Sequence, residues 1–257
     1  MGRGSLTGEV DVPDVVAWDN GPMRLILVRH GQTHSNVKNA LDSDAPGADL
    51  TDLGRKQAEA LVDELSDEPI DSTWVSNLVR TQQTAAPIAA SRGLTPNVRE
   101  GLREVRSGDY EMRSDDEAIH GFIQTIVGWQ EDPEIRMPGA ETGTETLARF
   151  NAVVDEIDAG GDETVMLVAH GAIIVLWAAA TVDVPPQFLG HSISNTGVVI
   201  VEGSQAEGWR LERWESHALG GSAVSDIEGD GPVGYPDEAH PHGLAVAGGE
   251  ADLESYA

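Results

Sequence analysis

The amino-acid sequence predicts an α/β fold, a three-layer α/β/α sandwich around a mainly parallel sheet. Two observations lead to this prediction. Apolar strand-like runs alternate with amphipathic helical stretches between residues 23 and 215. The runs are also apolar throughout, as expected of strands that helices cover on both faces. In such a sheet, ligands bind at the carboxyl ends of the strands.

The elements follow from local patterns. Leu147, Phe150, Val153, Val154 and Ile157 recur at helical spacing, and a Gly pair at 160–161 ends that helix. The remaining stretches are assigned by the same criteria. In chain order, the patterns predict strands at 23–28, 72–76, 165–169, 197–202 and 210–214 and helices at 52–65, 81–92, 147–157 and 172–181.

One apolar run, residues 165–182, is long enough to imitate a membrane span. His170-Gly171 divides it into a β-branched half and an Ala-rich half. This division favours a buried strand, a turn and a buried helix. The start of the chain has no apolar segment of the secretory type, so we expect a cytoplasmic location.

Composition suggests three regions along the chain. Residues 1–22 are predicted to form a flexible arm, and 23–215 a single domain with an insertion at about 105–143. Residues 216–257 contain no Lys or Arg and many Gly, Pro, Asp and Glu, which predicts an acidic disordered tail. Its G-x-G-x-x-G match at 229–234 is interpreted as chance. Truncation after His217 is therefore expected to preserve folding and activity.

Charge and cysteine content exclude several functions. The chain has 44 acidic and 16 basic residues, for a net charge of −28. A nucleic acid or an anionic membrane needs a basic surface, so neither is an expected partner. With no cysteine, there is no disulfide framework and no thiolate metal site. We find no strong metal motif and expect no cofactor. The oligomeric state stays open.

Chemically suited residues follow the predicted strands. Arg29-His30-Gly31 follows the first strand, and His170-Gly171 follows the strand at 165–169. Arg80 lies at a strand-to-helix turn, and Glu104 follows a short extended run. These residues can therefore converge on one crevice at the carboxyl edge of the sheet.

This set suits phosphoryl transfer. A neutral imidazole can attack phosphorus and form a phosphohistidine. Guanidinium groups bind phosphoryl oxygens and offset the charge of the transition state. A carboxylic acid can protonate the leaving oxygen.

Six short motifs occur in a fixed order between residues 23 and 214. They are Leu27-Val28-Arg29-His30-Gly31-Gln32-Thr33 with Asn36, Leu50-Thr51-Asp52-Leu53-Gly54, Ser76-Asn77-Leu78 with Arg80, Leu102-Arg103-Glu104, Pro138-Gly139 with Glu141, and Val168-Ala169-His170-Gly171. In residues and order, they closely resemble the histidine phosphatase superfamily, in its phosphoglycerate-mutase-like branch. Six ordered motifs are far more specific than a single Arg-His-Gly.

The resemblance implies a role for each matching residue. His30 would be the phosphorylated nucleophile and Glu104 the proton donor. Three residues, Arg29, Arg80 and His170, would hold the phosphate. The same site would include Thr33, Asn36 and Gly171. The expected activity is that of a metal-independent phosphomonoesterase on a small phosphate ester.

Three alternatives stay open: a phosphoglycerate-type mutase, a phosphoprotein phosphatase and a non-catalytic phosphate-binding protein. The mutases that the chain resembles hold a second anionic group with extra basic residues after the Glu motif. Residues 105–143 contain Arg106, Arg113 and Arg136 but no Lys and no adjacent Arg pair. This composition favours a phosphatase. The sizeable insertion favours a small substrate over a phosphoprotein.

Overall fold

A six-stranded sheet forms the centre of the protein, seen in a computed structural model that describes residues 22–184, 193–226 and 229–232. The strands are β1 (Met23–Arg29), β2 (Ser72–Ser76), β3 (Asn97–Arg99), β4 (Thr164–Ala169), β5 (Val198–Ser204) and β6 (Gly208–Glu215). Their order across the sheet is β3-β2-β4-β1-β5-β6. Only β5 runs against the others, so the mainly parallel sheet is confirmed.

The helices occupy the connections between these strands. They are α1 (His34–Val37), α2 (Asp52–Glu64), α3 (Val79–Arg92), α4 (Asp116–Gly128), α5 (Gly143–Gly160) and α6 (Gly171–Thr181). The Thr51 hydroxyl caps α2 by accepting a hydrogen bond from the Gly54 amide. Gly161, with φ of 79°, ends α5 in the left-handed region that favours glycine.

Apolar side chains leave the strands on alternate faces of the sheet and build a core on each. Leu25 and Leu27 belong to one core, together with residues of α4, α5 and α6. Ile26 and Val28 belong to the other, with residues of α2 and α3. The sheet therefore lies between two helical layers, which confirms the three-layer prediction.

The long apolar run at 165–182 forms most of β4 and the whole of α6, as predicted. Both elements are buried in the domain. Within the described residues, no helix is long and apolar enough to cross a membrane. The insertion contains α4 and a short 3₁₀ helix, Gly108–Tyr110.

The prediction that disorder begins at residue 216 is wrong for the part of the tail that the structure describes. Ala218, Leu219 and Val224 are buried, and Gln57 donates a hydrogen bond of 2.8 Å to the Val224 carbonyl. The acidic, Gly-rich composition of the whole tail does not reveal these few apolar side chains. Their burial nevertheless anchors the segment. Residues 1–21 of the predicted arm, and residues 227–228 and 233–257 of the tail, lie outside the described residues.

Candidate active site

The predicted site residues meet at the carboxyl edge of the sheet. β1 ends at Arg29 and His30 follows it, while His170 follows β4. The turn after His30 is tight, because a Cβ on Gly31 would lie 2.6 Å from the Gly54 carbonyl oxygen. Glycine at this position lets the loop after β1 pack directly on the start of α2.

His30 is held in one neutral tautomer. Its Nδ1 lies 2.7 Å from the Gly31 carbonyl oxygen. Since a carbonyl can only accept, Nδ1 carries the proton and Nε2 keeps its lone pair. Burial lowers the pKa of His30 well below its ordinary value, and the charges of Arg80 and Arg29 lower it further.

His170 takes the opposite tautomer. Its Nδ1 accepts a hydrogen bond of 3.3 Å from Nε of Arg80, so its proton lies on Nε2, 2.8 Å from the Ser76 hydroxyl. Its ring centroid lies 5.1 Å from that of His30. Burial, followed by the charge of Arg80, lowers the pKa of His170 well below the usual range. The ring is therefore neutral and held at two points.

The two arginines carry buried donors that the described residues do not satisfy. Arg29 and Arg80 are 1% and 3% exposed. Nε of Arg29 has no hydrogen-bond partner among the described residues, and Nη1 of Arg80 has none either. The latter lies 3.6 Å from Oδ1 of Asp42, which is ion-pair distance but too long for a hydrogen bond. Unsatisfied buried guanidinium N–H groups are costly, so their presence in one cleft indicates a place for anionic oxygens.

Glu104 is held at the start of α6. Its Oε1 accepts from the amides of Val105 at 2.8 Å and Ile173 at 2.9 Å, and its Oε2 accepts from Ala172 at 3.1 Å. These three bonds fix the carboxyl group at the edge of the cleft. Oε2 accepts only one of them, so it can take part in a further hydrogen bond.

Thr33 and Asn36 line the cleft beside His30. The Thr33 hydroxyl caps α1 and donates to Oδ1 of Asn36, so its own proton is used inside the loop. Of these two side chains, only Asn36 then has N–H groups, on its side-chain nitrogen Nδ2, that are not used in this bond. Gly171 lies against Arg29, whose Nε would be 3.2 Å from a Cβ at that position.

The cleft is partly open to solvent, and apolar side chains are among those that line it. They include Leu41, Val105 and Phe122, and Phe122 comes from α4 of the insertion. The arrangement thus places two guanidinium groups and several apolar side chains in one cleft.

Sequence reasoning missed four residues of this site. Ser76 fixes the tautomer of His170, and Asp42 lies beside Arg80. The Asn195 side chain donates a hydrogen bond of 2.9 Å to the His30 carbonyl, and the carbonyl of Asp230 accepts a hydrogen bond from Arg29. Ser76 belonged to a motif already noted and could have been found there. Nothing in the local sequence indicates that residues so distant along the chain reach the site.

Comparison with known proteins places the chain in a family. A profile of the histidine phosphatase superfamily (branch 1) matches residues 25–217. Glucosyl-3-phosphoglycerate phosphatase of Mycobacterium tuberculosis is 30% identical over 221 residues, covering 78% of this chain and 98% of that protein. Adenosylcobalamin/alpha-ribazole phosphatase of Salmonella typhimurium is 30% identical over 174 residues, covering 66% of this chain and 84% of that protein.

Two further similarities concern length and structure. The PE-PGRS family protein PE_PGRS11 of Mycobacterium tuberculosis is 30% identical over 77% of this chain, but the match spans only 37% of that longer protein. The native structure of a mycobacterial glucosyl-3-phosphoglycerate phosphatase superposes with a TM-score of 0.64 at 28% identity, covering 76% of this chain and 99% of that one. The fold, the ordered motifs and these matches agree. The chain therefore belongs to the histidine phosphatase superfamily and is a phosphoric monoester hydrolase of that family.

Proposed function

We propose that the protein hydrolyses small phosphate monoesters in two steps through a phosphohistidine on His30, without a metal ion. The observation that carries the proposal is the pair of unsatisfied buried donors, Nε of Arg29 and Nη1 of Arg80, in one cleft with a neutral His30. This is the set of groups that a phosphoryl anion and its transition state require.

In the first step, the lone pair on Nε2 of His30 attacks phosphorus as the ester P–O bond breaks. Glu104, protonated on Oε2, gives its proton to the leaving oxygen, so an alcohol departs and a P–N bond remains. Arg29 and Arg80 hold the phosphoryl oxygens, and His170 stands beside them. The positive groups are in place before the reaction and need not reorganise.

In the second step, a water molecule attacks the phosphohistidine. Glu104, now ionised, accepts a proton from the water as the new P–O bond forms. The P–N bond breaks, the electron pair returns to Nε2, and inorganic phosphate leaves. The hydrogen bond from Nδ1 to the Gly31 carbonyl keeps His30 in the same tautomer throughout.

The charges around the cleft favour a substrate with one anionic group. Arg29 and Arg80 are the only basic side chains that line it among the described residues. Two other arginines near the site, outside the lining of the cleft, are paired with carboxylates: Arg103 with Glu141 at 3.0 Å, and Arg106 with Asp44 at 3.3 Å. A second anionic group would have to compete with these carboxylates. This favours a phosphatase over a mutase, which must hold two anionic groups.

The leaving group is accordingly expected to be neutral and partly apolar, in keeping with Leu41, Val105 and Phe122 among the lining residues. Alpha-ribazole 5′-phosphate, by the name of one structural relative, fits this description better than the carboxylated glucosyl-3-phosphoglycerate of another relative. We expect a higher kcat/KM for the former. A clear preference for the carboxylated ester, or mutase turnover of 3-phosphoglycerate exceeding its hydrolysis, would contradict this.

A first assay uses p-nitrophenyl phosphate with a chelator present. We expect turnover that His30→Gln lowers by about 10³-fold or more. His34→Gln is a matched control, because His34 is exposed at the start of α1 and outside the cleft. Loss of turnover on chelation, or equal turnover in the two variants, would refute the proposal. The cytoplasmic location and the absence of nucleic-acid partners stay predictions from the sequence.

A further inference from the structure

The C-terminal segment, here Asp226 and Gly229–Pro232, lies beside the phosphate pocket although it begins eleven residues after β6 ends. Gln32, in the loop after His30, donates a hydrogen bond of 2.7 Å to Oδ2 of Asp226. Pro232 lines the cleft itself. The segment is thus attached to the loop that carries the nucleophile.

Gly231 and Asp230 contact the phosphate-binding side chains directly. A Cβ on Gly231 would lie 2.7 Å from Nδ2 of Asn36, and its φ of 84° also favours glycine. The Asp230 carbonyl accepts a hydrogen bond from Nη2 of Arg29. Asp230 is only 2% exposed, and its Oδ1 accepts a hydrogen bond of 3.0 Å from the backbone amide of Asn195.

These contacts define the orientation of Arg29. Nη1 donates a hydrogen bond of 2.6 Å to the Ile193 carbonyl, and Nη2 donates another to the Asp230 carbonyl. Each terminal nitrogen donates one of these bonds, and Nε is the nitrogen without a partner among the described residues. A guanidinium held at both ends presents its Nε–H in one direction, as a preorganised anion site requires.

We propose that the C-terminal segment is part of the active site, with Asp230 acting as a positioning residue that orients Arg29 for the phosphoryl group and Pro232 closing the cleft. The inference rests on the proposed function of this cleft. It assigns a catalytic contribution to residues whose composition predicts only a solvated tail. Its consequence is that loss of this short segment impairs phosphate binding more than it impairs the fold.

Two truncations isolate the segment. One chain ends at Pro232 and the other at Asp226, and both keep the buried Leu219 and Val224. With p-nitrophenyl phosphate, we expect the first to match the full chain and the second to lose about 10- to 100-fold in kcat/KM. Its Kd for inorganic phosphate, measured by calorimetry, should rise by about tenfold or more, with a melting temperature close to that of the longer variant.

Point variants separate positioning from mere attachment. Asp230→Asn keeps an oxygen for the Asn195 amide, whereas Asp230→Ala leaves that buried donor unpaired. We expect the Ala variant to lose about tenfold in kcat/KM and in phosphate affinity, and the Asn variant to stay within about threefold of wild type.

Several outcomes would overturn the inference. Equal kcat/KM and equal phosphate affinity for the two truncations would show that the segment only rests on the surface. Faster turnover by the shorter chain would make it an obstruction. An Asn variant as impaired as the Ala variant would remove the positioning role from Oδ1. Absence of turnover in the full chain would instead contradict the proposed function, so the two failures are distinguishable.

Discussion

Burial of neutral His30 links stability to pH in a way that one substitution isolates. In the folded chain, burial, Arg80 and Arg29 hold the pKa of His30 well below its ordinary value of 6.5. Below pH 6.5 the unfolded chain gains a proton at this residue and the folded chain does not, so stability is lost as the pH falls. For a histidine that stays neutral in the folded state, the loss between pH 7.5 and 5.5 is about 1.4 kcal/mol.

His30→Gln removes this contribution and still offers a donor to the Gly31 carbonyl. Urea denaturation of both proteins at pH 7.5 and 5.5 gives the four free energies of unfolding that are needed. We expect the wild type to lose about 1.4 kcal/mol more than the variant on acidification, since other titrating groups cancel in the comparison. Losses that agree within about 0.3 kcal/mol would show that His30 gains a proton as readily in the folded chain as in the unfolded chain and would refute the reasoning.

Three further predictions concern the surroundings of His30. Arg80→Lys removes the fork of donors, so kcat/KM for p-nitrophenyl phosphate should fall by about 10²-fold, and a loss below threefold would contradict the role. Ser76→Ala leaves Nε2 of His170 without its acceptor and should lower the urea unfolding free energy by about 1–3 kcal/mol, whereas unchanged stability would contradict this tautomer. Gly54→Ala places a Cβ 2.1 Å from the Gln32 carbonyl oxygen and should cost about 1–3 kcal/mol by the same assay, while a neutral effect would show that the loop yields freely.

Most of the sheet could be predicted from the sequence, because its central strands are short, largely apolar runs with clear boundaries. β2 lies where the pattern placed it, and β4 and α6 differ by one residue at the start. The reversal of β5 was not predicted, since an apolar strand has the same composition in either direction. The direction of β5 is set by its antiparallel pairing with β1, and no local sequence pattern indicates that pairing.

The position of part of the site could likewise be predicted from the ends of the apolar strands. His30, Arg29 and His170 follow strand ends, and parallel strand ends meet at one edge. Asp230 was missed because its place depends on long-range contacts with Arg29 and Asn195. Composition describes the average of a segment, whereas a few buried side chains decide whether it packs.

The account depends most directly on a phosphoryl group bonded to His30. The measurement is a rapid alkaline quench during turnover of a phosphate ester, followed by peptide mapping by mass spectrometry. We expect one phosphoryl group on the peptide that contains His30, at a level that rises with substrate and is absent from His30→Gln. Turnover by the wild type with no phosphorylated peptide, or with the group on another residue, would contradict the account.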